Sequence, residues 1–191
     1  MHHPHPVFAG ENGVVTTITT TTRLEVRQLV PSDAAFLFDL HSQPAVTGPL
    51  AMQPSTGIPE ELQRTERFTS LFGDALDFGI WGLALLDGPL IGLVLLKPLR
   101  PLGDHDGFEV GWRLHPDSWG NGYATEAGSG LVELAFGPRR LTEVFAVIEP
   151  SNDRSHAVAH RLGMDKIGTL EYAGMSHDLL SIQADQWRSS R

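Results

Sequence analysis

The chain has 191 residues, the length of one domain, and 41% of them are apolar, enough to bury a core. Its formal charge is −9, from 14 basic against 23 acidic side chains, which argues against a nucleic-acid-binding face because phosphate neutralisation needs Lys and Arg. It has no cysteine, which excludes a disulfide framework, a thiolate metal site and a cysteine nucleophile.

Met1 to Thr22 reads as a flexible arm. It opens M-H-H-P-H-P and carries threonines at 16, 17 and 19 to 22, and this low complexity argues against packing. His2, His3 and His5 read as incidental rather than metal-binding. Threonine is β-prone, so the run is also able to extend the first strand. The N-terminus lacks the basic and apolar regions of a signal peptide, and no apolar run reaches the roughly 18 residues of a membrane span, so a cytoplasmic location is expected.

Arg23 to Leu29 alternates polar and apolar, a half-buried strand. Pro31-Ser32-Asp33 starts a helix whose apolar side is Phe36, Leu37 and Leu40. His41 to Pro59 is rich in Pro, Gly, Ser and Thr, and reads as a long functional loop. Pro59-Glu60-Glu61 opens a second helix that runs to Phe72. Phe78 to Leu86 and Pro89 to Lys97 flank Asp87-Gly88, a hairpin signal. After a polar turn, Phe108 to Leu114 is the next strand.

A helix follows from Tyr123 to Phe136, with Ala127, Leu131, Leu134 and Ala135 on one side. Leu141 to Ile148 is a short strand, and Asn152 to Leu162 a helix closed by Gly163. Asp165 to Tyr172 and His177 to Ala184 form a closing hairpin around Gly174. Hairpins thus surround one β-α-β-α segment, which implies a mixed-sheet α/β or α+β architecture.

The stretch Ser118 to Ala127, S-W-G-N-G-Y-A-T-E-A, joins a strand to a helix through Gly120 and Gly122. Glycines let a backbone bend and approach closely, and the N–H groups of a first helical turn face an anion. Thr125 occupies the sixth place of a dinucleotide fingerprint, so that pattern fails, and the G-K-[ST] of a phosphate loop is absent. The residues alone leave two readings: an anion-holding turn, or an ordinary glycine-rich connection. His156 and His160 share a helix face, but H-A-V-A-H lacks the Glu of a zinc-protease helix, so no metal is expected. No G-x-S-x-G elbow supports hydrolase chemistry.

The turn resembles the acetyl-coenzyme A motif of the GNAT (general-control-related N-acetyltransferase) superfamily. It is most similar to the branch of the ribosomal-protein-alanine N-acetyltransferases, the RimJ/RimL type, whose usual form is W-G-x-G-Y-A-T-E-A. Most of the wider superfamily has Arg or Gln where Trp119 stands. Two flanks add to the resemblance: G-F-E-V-G-W-R-L-H-P from Gly107, and N-x-x-S…L-G-[FM] from Asn152.

The resemblance implies one acetyltransferase domain over 23–188 with the GNAT fold. That fold has a mixed, mostly antiparallel sheet of about six to seven strands, splayed at its centre and flanked by about four helices. It implies transfer of acetyl from acetyl-coenzyme A to a primary amine, on a protein N-terminus or a small molecule, by direct attack in a ternary complex. No metal, nucleic acid or membrane takes part, and a homodimer is compatible with it.

By the same resemblance, Trp119, Gly120, Asn121, Gly122, Tyr123, Ala124 and Thr125 hold the coenzyme, and Asn152 bonds its pantetheine arm. Ser155 faces the sulfur, and Val110, Gly111 and Trp112 lie beside the acetyl group. Many members carry a tyrosine, as proton donor to the thiolate, where this chain has Ala159. Ser155 or a water is the expected substitute. Glu109 is the candidate base, with Asp104, His105 and Asp106 as weaker ones; Tyr172 and Ser176 approach the substrate. If Val110 faces the core, Glu109 faces the other way unless a bulge at Gly111 intervenes. The alternative of another class is a non-catalytic acetyl-coenzyme A sensor or scaffold on the same fold.

Overall fold

A computed structural model describes residues 15–50, 52–70, 78–99, 107–172 and 174–190, apart from the side chain of Tyr172. The three N-terminal histidines and the loop candidates Asp104, His105 and Asp106 lie outside the described residues.

Strand β1 (Thr17–Thr20) pairs antiparallel with β2 (Leu24–Arg27). The sheet therefore begins inside the stretch that the sequence reads as an arm. Helix α1 (Ala34–Ser42), a short α2 (Pro44–Thr47) and α3 (Ile58–Ser70) come next. Strands β3 (Gly79–Leu85), β4 (Leu90–Pro98) and β5 (Phe108–Leu114) then form a meander. Helix α4 (Tyr123–Phe136), β6 (Glu143–Ile148) and α5 (Asp153–Arg161) make the central crossover, and β7 (Asp165–Tyr172), β8 (Met175–Gln183) and α6 (Ala184–Ser189) close the chain.

The sheet order is β1-β2-β3-β4-β5-β6-β8-β7. The described residues thus hold eight strands and six α-helices, against the six to seven strands and four helices expected. The surplus has local causes. β-branched Thr17, Ile18, Thr19 and Thr20 suit an edge strand. Pro44 pre-sets the first turn of α2 within the region read as loop. Ala184, read as the last residue of a strand, instead opens α6, and it and Trp187 are buried there.

Packing follows from periodicity. Ala127, Leu131 and Ala135 recur every four residues along α4, and all three are fully buried. They meet Val94, Leu96, Val110 and Val144 from one face of the sheet in the main core. Helices α1 and α2 cover the other face, where Leu29, Leu37, Leu40, Val46 and Leu93 form a second core. Burying each such Leu stabilises the fold by about 1.5–3 kcal/mol relative to leaving it in water.

Alternation along β5 divides the two faces. Val110 and Leu114 are buried in the main core, while Arg113 reaches His41 of α1 on the opposite side. Register between β4 and β5 runs unbroken from Gly92↔Leu114 to Pro98↔Phe108, so β5 has no bulge at Gly111. Glycine there relieves crowding instead: an added Cβ would lie 3.1 Å from Leu95 Cγ.

Candidate active site

β5 and β6 are the parallel pair of this sheet, and a single register pair, Glu109↔Phe145, joins them. Beyond it the strands part toward their C-terminal ends. The backbone phase of β5 says what lines the gap. Leu99 N–H donates to Gly107 O (2.8 Å) and His115 N–H to Ile91 O (2.9 Å), so odd-numbered residues of β5 turn both backbone groups to β4. Even-numbered residues turn theirs to β6. Phe108 and Val110 flank the register pair and serve Phe145. Trp112 is the next residue to present its N–H and C=O on that side, where β6 has diverged. The amide of Gly111 is directed into the β4 ladder and not into the gap.

The glycine turn follows directly. Pro116–Ser118 form one 3-10 turn, and Gly120 and Gly122 take φ of +78° and +77°, which side chains disfavour. Gly122 caps α4 without a side-chain hydrogen bond, so the first amides of the helix keep their donors. A Cβ on Gly120 would meet nothing within 4 Å. Trp119 anchors the turn by donating Nε1–H to Leu114 O at 2.9 Å, and Asn121 Nδ2 donates to Trp119 O at 3.1 Å. Tyr123, Ala124 and Thr125 are half-buried at the start of α4. An open cradle of uncapped amides, with the Arg23 guanidinium at the Gly122 edge, fits a pyrophosphate.

The far side of α4's first turn is tied to the β1–β2 connection. Glu126 Oε1 accepts from Thr21 Oγ1 (2.6 Å) and Arg23 N–H (2.8 Å), and its Oε2 from Arg23 Nε (2.6 Å). Burial alone would raise the Glu126 pKa, but these donors outweigh it and hold the carboxyl below its usual range.

Across the gap, α5 begins at Asn152. Its Oδ1 accepts from Ser155 N–H at 3.2 Å, a helix cap that leaves the side-chain NH2 available to donate. Ser155 is half-buried, and Ala159, on the same helix face, is sealed in the main core. His156 and His160 do not converge: His156 Nε2 lies 3.6 Å from Asp178 Oδ2, and His160 is exposed. Asp178 pairs in register with Ile148 at the end of β6, so exposed Ser176 and the backbone of Tyr172 sit past the same open end.

Glu109 faces away from the main core. Its carboxylate carries the ammonium of Lys97, its direct cross-strand partner. On the same face a buried network appears that sequence spacing did not suggest. Arg113 Nη1–H donates to His41 Nε2 (2.7 Å), and His41 Nδ1–H donates to Glu61 Oε2 (2.9 Å). Arginine only donates, so His41 is the neutral tautomer protonated at Nδ1. His41 and Glu61 are both fully buried. Burial pushes the His41 pKa down and the Arg113 charge adds to this, while the bond to Glu61 opposes it. Burial pushes Glu61 up, but the His41 bond and Arg64 leave it below the ordinary carboxylate value. Such a network joins residues 20 and 72 positions apart, a separation to which no local pattern points.

Among the described residues no helix is long and apolar enough to cross a membrane. The family model described as "Acetyltransferase (GNAT) domain" matches residues 23–165. The uncharacterized N-acetyltransferase YoaA of Bacillus subtilis (strain 168) is 28% identical over 154 residues, covering 80% of this chain and 85% of its own. Spermidine N-acetyltransferase from Vibrio cholerae, solved with CoA and spermine, superposes with a TM-score of 0.69 at 16% identity, over 88% of this chain and 99% of that one. RimL, a ribosomal L7/L12 alpha-N-protein acetyltransferase, superposes with a TM-score of 0.71 at 16% identity, over 88% and 94%. The family model spans well over half of the chain, and the chain belongs to the GNAT family of acetyltransferases.

Proposed function

We propose that this acetyltransferase moves acetyl from acetyl-coenzyme A to a primary amine, by direct attack in a ternary complex. The observation that carries the reading is the conjunction on one strand of a free backbone edge at Trp112 and, a few residues on, the uncapped turn at Gly120 and Gly122. The bound coenzyme supplies an activated thioester. The turn from Trp119 to Thr125 receives its pyrophosphate, and Asn152 donates its amide to the pantetheine arm. The Trp112 N–H polarises the thioester carbonyl, with Val110 and Gly111 as its neighbours on β5. Ser155 returns a proton to the leaving thiolate in the place of the tyrosine that Ala159 lacks. Glu109 takes the proton of the amine through a water, since Lys97 engages its carboxylate.

The acceptor lies on the α1–α3 face, opposite α4. The W-G-N-G-Y-A-T-E-A turn favours the RimJ/RimL-type branch. Fold does not choose the acceptor, because a spermidine enzyme and a ribosomal-protein enzyme superpose on this chain equally well.

Thermal unfolding with acetyl-coenzyme A, NAD or ATP tests the donor. Only acetyl-coenzyme A should raise the Tm, by the equivalent of about 2.7 kcal/mol at a hundred times its Kd. Gly122→Glu puts a strained, negatively charged side chain in the cradle and should remove that shift. Stabilisation by NAD or ATP alone would overturn the reading. Thiol release with a panel of amines then reports the acceptor.

A further inference from the structure

Position 119 contributes an indole and no charge, and the chain carries −9 overall, yet the turn is read as holding a polyanion. Two guanidinium groups stand at this turn, from different elements. Arg23 arrives from the β1–β2 connection. Its carbon lies 4.7 Å from the Tyr123 ring centroid, its Nη1–H donates to Asn121 O (3.1 Å), and its Nη2 lies 3.6 Å from where a Cβ on Gly122 would be. Glu126 already neutralises it.

Arg154 differs. It is the second residue of α5 and its guanidinium carbon lies 4.3 Å from the Trp119 ring centroid. It makes no ion pair and no hydrogen bond among the described residues, so no carboxylate among them neutralises it. Trp119 is tied to the end of β5 through Leu114 O, while α5 follows β6, so the stack reaches across the gap between the two strands. A guanidinium over an indole is modestly favoured there at an exposed site, and its N–H groups keep their donors.

We propose that Arg154, held against Trp119, is a phosphate ligand of the coenzyme, and that α5 thereby supplies the cation that the glycine turn itself lacks. Arg23 plays the lesser part, ordering the turn with its charge already paired. The proposal rests on the reading that this turn binds acetyl-coenzyme A. Trp119 then has two duties: its N–H anchors the turn, and its ring aims the arginine.

Titration of coenzyme A at several salt concentrations, on the wild type and on Arg154→Gln, Arg154→Lys and Arg23→Gln, tests it. Arg154→Gln should weaken binding about tenfold or more at low salt and flatten the salt dependence, because a charged contact is screened and a shape contact is not. Arg154→Lys should recover part of the affinity, since it keeps the charge and loses the stacked fork. Arg23→Gln should cost less. Unchanged affinity in Arg154→Gln, or a loss of the same size at every salt concentration, overturns the phosphate role. A wild type that binds no coenzyme A overturns the underlying reading of the turn instead.

Discussion

Glu109 and Val110 are neighbours on β5 with opposite surroundings. Strand alternation buries Val110 under α4 and sends Glu109 to the face of α1 and α3, where Lys97 meets it. That alternation is legible in the sequence. The absence of a bulge at Gly111 is not, because it depends on how β4 pairs opposite. The proposed base therefore lies on the acceptor side of the sheet. Glu109→Gln should lower kcat about 10²- to 10⁴-fold, the usual contribution of a positioned base. Coenzyme affinity should stay as it is, since the cradle begins at Trp119 on the other side. Steady-state kinetics with any accepted amine, beside a coenzyme titration, separates the two effects. Full retained turnover removes Glu109 from the mechanism.

At the scale of elements, α4 and α5 are set by local signals and most of the remaining segments nearly so. The fourfold spacing of Ala127, Leu131 and Ala135 defines the buried stripe of α4, and Gly163, at φ +79°, ends the α5 segment. The first turn of α5 carries a double meaning: Asn152 caps the helix, and the proposed function also asks it to donate to the coenzyme. Asn152→Asp distinguishes these duties. A carboxylate caps at least as well and suits the helix dipole, so the Tm should be unchanged or slightly higher. The amide donors are lost, so coenzyme Kd should rise by about tenfold, the scale of one hydrogen bond of roughly 1–1.5 kcal/mol. A Kd that does not move, measured by calorimetry, would leave Asn152 as a cap alone. The elements that sequence reading missed are short. α2 and α6 have four and six residues, too few for a hydrophobic period to emerge.

At the scale of the molecule, the network of fully buried His41 and Glu61 with half-buried Arg113 joins α1, α3 and β5. Folding keeps His41 neutral, whereas the unfolded chain takes up a proton near the ordinary histidine pKa of about 6.5. The unfolded state then binds more protons, so stability falls as the pH drops through that value. Glu61, held below its ordinary range, adds a second loss only when the pH falls under about 4.3. His41→Gln keeps an acceptor for Arg113 and a donor for Glu61, but it does not titrate. Between pH 7.5 and 5.5 the wild type should lose stability relative to this variant, with a limiting slope of about 1.4 kcal/mol per pH unit for one proton. Denaturant unfolding across that range measures it. A difference that is flat with pH would contradict the neutral buried histidine.

Apart from α2, the sequence by itself determined the segments from β2 to α5 to within a few residues, because they are written in short-range spacing, and its glycine turn carried the resemblance to the family. Tertiary structure alone decided the rest. It set β8 between β6 and β7, recruited β1 to the sheet, joined His41 to Glu61 and Arg113, and laid Arg154 on Trp119. Each of these brings together groups remote along the chain, and their meeting is an outcome of how the faces of the sheet are covered and of where β5 and β6 part.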